Sequence, residues 1–149
     1  MIDCRRATID DLSYLVDGNR SIAKETEGLE LSEAKLRPGI AAILDDQNKG
    51  IYWVACLEKQ VVGQILVTYE WSDWRNGQIW WIQSVYVWPD ARRQGVFKAL
   101  LDHVTREARD LLVVELRLYA DATNHKAHST YLNQGFTTGH YQVFEKSLT

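Results

Sequence analysis

The 149-residue chain has few of the residues that staple or punctuate a fold: two cysteines, two prolines and one methionine. Cys4 and Cys56 lie far apart, and the N-terminus Met1-Ile2-Asp3-Cys4-Arg5-Arg6 has no apolar signal region. The two thiols are therefore expected to be buried and free, in a cytoplasmic protein. No apolar run approaches the ~18 residues of a membrane span. No block of like charge occurs and the net charge is −3, which argues against a nucleic-acid partner held through its phosphates. GxGxxG, Walker A, HExxH and CxxC motifs are all missing,. His125 and His128 stand three apart with no acidic or cysteine cluster to complete a site, so no metal is expected,. Asn19-Arg20-Ser21 fits a glycosylation sequon but reads as chance without an export signal,. No internal repeat is visible.

What is present is ordinary for one globular domain spanning residues 1–149: 46% hydrophobic and 25% charged residues. That length buries roughly two thirds of the unfolded surface. All six tryptophans fall between Trp53 and Trp88. Most are expected in an aromatic core beneath a sheet.

The periodicity predicts a strand over Ile2–Arg6, then a Thr8-Ile9-Asp10-Asp11 helix start of capping-box type,. A helix follows with Leu12, Leu15 and Val16 on one stripe. A second runs over Ser32–Asp46, with Leu36, Ile40, Ile43 and Leu44 as its apolar face,. Pro38 should kink that helix or delay its start. Ile51–Leu57, Val61–Glu70 and Gln78–Val87 read as an antiparallel meander whose last turn carries Asn76-Gly77,. Gln94–Asp110 then switches to helical spacing, through Phe97, Leu101, Val104 and Ala108,. Val113–Tyr119 reads as a strand, Thr123–Gln134 as a helix closed by Gly135, and Tyr141–Lys146 as a final strand,. The order β-α-α-β-β-β-α-β-α-β defines a mixed α/β domain.

Two segments carry chemistry. Val85-Tyr86-Val87-Trp88-Pro89 ends a strand and leads through Arg92-Arg93-Gln94-Gly95-Val96-Phe97-Lys98 into a helix. A basic, glycine-bearing turn at a helix N-terminus is physically an anion site: the first N–H groups lack partners and the dipole favours negative charge. The second segment places Asn124, Ala127 and Tyr131 on one helix face, with Gly135-Phe136 following,.

Together these resemble the GNAT superfamily of N-acetyltransferases. Arg92-Arg93-Gln94-Gly95-Val96-Phe97 resembles its Gln/Arg-x-x-Gly-x-Gly/Ala motif, departing at Phe97. Asn124, Ala127, Tyr131, Gly135 and Phe136 resemble its Asn-x-x-Ala-x-x-x-Tyr…Gly-Phe pattern. The resemblance spans the whole chain and implies a mostly antiparallel central sheet flanked by about four helices. It implies acetyl-CoA as cofactor, bound through Val85, Tyr86, Val87, Arg92, Arg93, Gln94, Gly95, Val96, Phe97, Lys98, Asn124, Ala127 and Tyr131. Pantetheine would enter between the fourth and fifth strands and pair with the backbone of Val85 and Val87. An amine would attack the thioester directly, with a backbone N–H near Val85 stabilising the oxyanion and Tyr131 giving a proton to the thiolate. Phe97, at the head of the helix stripe, is expected to point its ring into the core.

Many relatives carry a Glu where this chain has Gln83, and an amide cannot take a proton at neutral pH. A water chain is the first alternative base; Glu70 leads Glu25, Glu27 and Asp73 among the carboxylates. Glu70, Trp71 and Asp73, with Glu25 and Glu27, form a candidate acidic and aromatic surround for a cationic amine. Equally, Asp73 could cap its turn, Arg75 pair with Glu70, and Trp71 and Trp74 pack under the helices. The acceptor is thus a small-molecule amine or a protein amine. A homodimer stays open. The reading from another class is an acyl-CoA sensor or structural module without catalysis.

Overall fold

The computed structural model describes residues Met1–Thr149. The chain forms two compact units, Met1–Leu118 and Tyr119–Thr149. The first unit contains strands β1 (Ile2–Arg6), β2 (Ile51–Leu57), β3 (Gln60–Ser72), β4 (Gly77–Val87) and β5 (Glu115–Arg117). It also contains helices α1 (Leu12–Glu27), α2 (Glu33–Asp45) and α3 (Val96–Asp110). The second contains α4 (His125–Asn133). The strands lie in sequence order in one sheet, antiparallel from β1 to β4, with β5 parallel to β4.

One sheet face receives α1 and α2. Tyr52, Val54, Cys56, Val61 and Leu66 pack there against Leu15, Val16 and Ile40. The other face receives α3, whose buried stripe is Val96, Leu100, Leu101, Val104 and Ala108. The expected stripe began one residue later, at Phe97, which is instead only half-buried. The reason lies across the interface. Gly63 of β3 has no side chain, and a Cβ there would come within 2.8 Å of Val96 and 3.2 Å of Leu100. That gap draws the first turn of α3 onto the sheet through Val96.

Several expectations meet a tertiary correction. Helix α2 runs unbroken through Pro38. The strand expected over Val113–Tyr119 contracts to three residues, because β5 pairs with β4 only at Ile79–Trp81. No strand forms over Tyr141–Lys146. Tyr141, Val143 and Phe144 are 75%, 63% and 91% exposed. Strand propensity is realised through pairing and one buried face, and this segment has neither.

The tryptophans also divide. Trp53 and Trp80 are fully buried, 5.8 Å apart, with the His103 ring edge-on to Trp53. Trp81 and Trp88 are half-buried, whereas Trp71 and Trp74 at the β3–β4 hairpin are exposed rather than packed beneath helices. Cys4 and Cys56 are free, as expected, but only Cys56 is buried and Cys4 is half-buried. Register explains the free thiols: Asp3 faces Cys56 and Cys4 faces Ala55, so the two thiols point to opposite sheet faces,.

The start of α1 is held electrostatically. Asp11 is buried, accepts the Thr8 N–H at 2.8 Å, and receives both Arg5 terminal nitrogens at 2.8 and 3.0 Å. Burial alone would raise its carboxyl pKa, but the Arg5 and Thr8 hydrogen bonds outweigh burial and lower it. A lowered folded pKa contributes stability that is present above the unfolded value and lost as pH falls through the folded one. Asp11→Asn should therefore cost about 1–2 kcal/mol at pH 7, since Arg5 is half exposed,. Urea denaturation should show the gap closing below about pH 4; a gap independent of pH would mean that the charge contributes nothing.

Candidate active site

The central feature of the sheet is a break in β4. Gln64 pairs with Tyr86 and Leu66 with Gln83, so Ile65 alone stands opposite Ser84 and Val85. This is a β-bulge, and Ser84 adopts a left-handed φ of 51°,. On its other side β4 leaves β5 after Trp81. Residues 82–87 therefore pair with β3 alone, and their second edge carries no strand of this sheet. A backbone edge of this kind can take an extended, amide-bearing ligand as an added strand.

Beyond that edge the chain makes a 3-10 turn at Pro89–Ala91 and enters α3 through Gly95, at φ 82°. Arg93 is also left-handed, at φ 64°. The first helical bond runs from Ala99 N–H to the Gly95 carbonyl, at 3.0 Å, so the first-turn amides point out of the helix end. No atom lies within 4 Å of where a Gly95 side chain would sit. Gly95 is thus required by backbone conformation, and the space before it is open.

The basic residues of this loop are not equivalent. Arg92 donates through Nε to the Val87 carbonyl at 2.9 Å and through Nη2 to Glu25 at 3.1 Å, with its guanidinium 5.4 Å above the Tyr86 ring. The Tyr86 hydroxyl donates to the other Glu25 oxygen at 2.6 Å. This ties the end of α1 to the end of β4. Lys98 pairs with Asp102 at 2.5 Å, Gln94 donates to the Asp90 carbonyl, and Arg93 is exposed.

A polar network sits behind the bulge, and nothing in the sequence reading picked it out. Gln64 is fully buried and donates through Nε2 to the Ser84 carbonyl at 2.9 Å. Its Oε1 rests against Gly18 of α1, where a Cβ would lie 2.0 Å away. Asn19, the next residue, donates to the Tyr52 hydroxyl at 3.1 Å, and the Ser84 side chain is near enough to the same phenol to favour its ionised form. Burial pushes the Tyr52 phenol up, although both partners act against it. The one available clue was a single polar residue, Gln64, inside the apolar run from Val61 to Val67.

The carboxylates expected around an acceptor are dispersed. Glu70 faces Ile79 across the hairpin, five residues before Ser84 on β4, about 16 Å away at ~3.3 Å per residue. It accepts the Trp81 indole N–H at 3.0 Å and pairs with Arg117 at 3.5 Å. Asp73 accepts the Trp74 backbone N–H, as a turn cap does. Arg75 pairs with Glu115, not Glu70, at 2.7 Å. The Tyr86 hydroxyl holds Glu25 below the usual carboxylate range, with Arg92 adding to it against a smaller burial effect. Glu27 is exposed at the end of α1. Gln83 is half-buried and donates to the Thr68 hydroxyl at 2.6 Å. Between α2 and β2 lies an apolar hollow of about 410 Å³, lined by Leu31, Leu36, Gly39, Ile40, Ile43 and Tyr52, with Ser32 and Lys35 also bordering it. Tyr52 links this hollow to Ser84.

In the second unit Asn124 caps α4, its Oδ1 accepting the Ala127 N–H at 3.1 Å. Gly135 is left-handed at φ 91°, and the Phe136 N–H returns to the Tyr131 carbonyl. Tyr131 packs edge-on to Phe136, at 5.7 Å between ring centres, and burial pushes its phenol up. Asn124 thus holds the helix that presents Ala127 and Tyr131.

In this mixed α/β fold, then, a bulged β4 with one unpaired edge leads to a helix whose first turn faces open space. The sequence profile of the Acetyltransferase (GNAT) family matches residues 18–136, and the chain belongs to that family. A possible acetyltransferase from Clostridium difficile 630 is 41% identical, covering 100% of this chain and 99% of that one, with a TM-score of 0.94. A predicted acetyltransferase with acetyl-CoA from Clostridium acetobutylicum is 21% identical over 98% and 96% of the two chains, at 0.77. A transcriptional regulator from Bacillus halodurans C-125 is 23% identical over 99% and 100%, at 0.84, and shares the fold. No curated protein is detectably similar. No helix is long and apolar enough to cross a membrane.

Proposed function

We propose that the protein is an acetyl-CoA-dependent N-acetyltransferase that acylates a primary amine by direct attack on the thioester. The observation that carries this reading is the Ser84 bulge, which opens one edge of β4 immediately before the Gly95 helix start. The residues suit the cofactor. The open space before Gly95 and the first-turn amides of α3 fit a pyrophosphate, with Arg93, Gln94, Val96, Phe97 and Lys98 around it,. The backbone of Val85, Tyr86 and Val87 fits the amides of the pantetheine arm, with the Val87 carbonyl shared by Arg92. The cofactor supplies the activated acetyl thioester.

The chain's own groups then have distinct tasks. A backbone N–H at Val85 would stabilise negative charge developing on the thioester oxygen. Tyr131, whose phenol burial pushes up, would give its proton to the departing sulfur. No carboxylate is well placed as base: Glu25 is committed to Tyr86 and Arg92, and Glu70 to Trp81 and Arg117. The amine proton therefore leaves through water. The hollow beside α2 suits the body of the acceptor better than the hairpin tip, because Tyr52 connects it to Ser84. The acceptor is then an amine with an apolar body.

The test is thiol release from acetyl-CoA against spermidine, glucosamine, lysine, phenethylamine and leucine amide. Release with an apolar amine is expected. Acetyl-CoA binding with no release from any amine would favour the non-catalytic sensor, which the commitment of the Gln83 amide to Thr68 also suits.

A further inference from the structure

Gln64 is an expensive residue to bury where it is. Its neighbours Ile65, Leu66 and Val67 are apolar and buried. Its Oε1 meets no hydrogen-bond donor of the protein, and a buried acceptor without a partner costs stability. An apolar side chain of the same length would avoid that cost. The α1 helix also gives way to it. Gly18 is buried in the helix interior, a position where glycine is unfavourable,, and its missing side chain is the space that Gln64 Oε1 occupies. What these two concessions secure is one hydrogen bond, from Gln64 Nε2 to the carbonyl of Ser84, the left-handed residue of the β4 bulge.

We propose that Gln64, seated on Gly18, is a positioning residue that holds the Ser84 bulge in the form that receives the acyl-bearing arm of the cofactor. The proposal rests on the acetyltransferase reading and adds to it a device that acts from behind the strand. Gln64 reaches the bulge from the α1 side of the sheet. It grips the carbonyl at the one peptide where β4 departs from regular pairing, and so fixes the orientation of the following N–H, at Val85. Tyr52 faces the Ser84 side chain, and the side-chain hydrogen bond to the peptide itself comes from Gln64. A side chain retained only for packing would be replaced by an apolar one with no loss of function; a clamp would not.

The experiment compares wild type with Gln64→Met, which keeps length and loses the amide, and Gly18→Ala, which leaves Gln64 intact but drives it from its seat. Three quantities are measured: melting temperature, site-resolved amide hydrogen exchange, and calorimetric affinity for acetyl-CoA and for adenosine 3′,5′-bisphosphate, which lacks the pantetheine arm. Gln64→Met should melt at or above the wild-type temperature. Exchange at Ser84 and Val85 should nevertheless quicken about tenfold in both variants, and acetyl-CoA affinity should fall about five- to tenfold, the range of one net hydrogen bond. Affinity for the bisphosphate should not change. Unchanged exchange at Ser84 and Val85 in Gln64→Met would overturn the clamp, as would equal weakening of both ligands. If wild type binds neither ligand, the cofactor reading fails by itself, while the exchange data still judge the clamp.

Discussion

Tyr131→Phe should lower turnover by at least about tenfold, toward the 10²-fold that a positioned general acid supplies, with acetyl-CoA affinity nearly unchanged. The substitution removes one oxygen. The ring and its edge-on contact with Phe136 stay, and so does the α4 helix, capped by Asn124. What is lost is the proton. A thiol has an ordinary pKa of ~8.5 and a phenol ~10, so a phenol next to a departing thiolate gives up its proton only as negative charge collects on sulfur. Burial raises the Tyr131 phenol further, so the donor stays protonated well past neutral pH. Wild-type turnover should accordingly show no decline from loss of this proton until pH passes the ordinary phenol range. Steady-state turnover with the best amine, alongside calorimetric titration with acetyl-CoA, measures both halves. Equal turnover in wild type and Tyr131→Phe would assign the proton to water.

Gly95→Val should weaken coenzyme A binding about ten- to a hundredfold. The reason is conformational. Gly95 is at φ 82°, a region that L residues, β-branched ones above all, rarely enter,. Forcing one there costs on the order of 1–3 kcal/mol, which the loop relieves by turning the peptide that begins α3. The first-turn amides then no longer converge on a phosphate. Steric bulk within the protein plays no part, since no atom stands within 4 Å of the new Cβ. Gly139→Val is the matched control: its Cβ also meets nothing, and its φ is not positive. Calorimetry should show the control binding like wild type. Wild-type affinity in Gly95→Val would remove the helix start from the cofactor site.

Much of this protein was legible as a string of residues, and the legible parts share a property: their causes lie within a few positions. Ile51–Leu57 declared itself by an apolar β-rich run, the β3–β4 hairpin by Asn76-Gly77, and the α3 entry by two arginines before a glycine. The Thr8–Asp11 capping box and the close of α4 at Gly135 are likewise local, each made by hydrogen bonds three to five residues apart. The segment 141–146 shows the limit of such reasoning. It has the composition of a strand but no paired neighbour, and composition alone cannot supply one.

Sequence by itself thus determined the α/β order as far as α4, the antiparallel meander and the glycine-led helix start, because periodicity, turn chemistry and caps act along the chain. Tertiary structure decided the rest. Whether Arg92 is spent on Glu25, whether Glu70 answers to Arg117, and which residue of α3 meets the sheet depend on partners brought together by folding. The bulge at Ser84 belongs to the same class. Its left-handed φ follows from no local motif; it is held from behind by Gln64, which fits only because Gly18, on a distant helix, has no side chain. A buried hydrogen bond gains its strength from exclusion of water, and that exclusion exists only once sheet and helix have closed on each other.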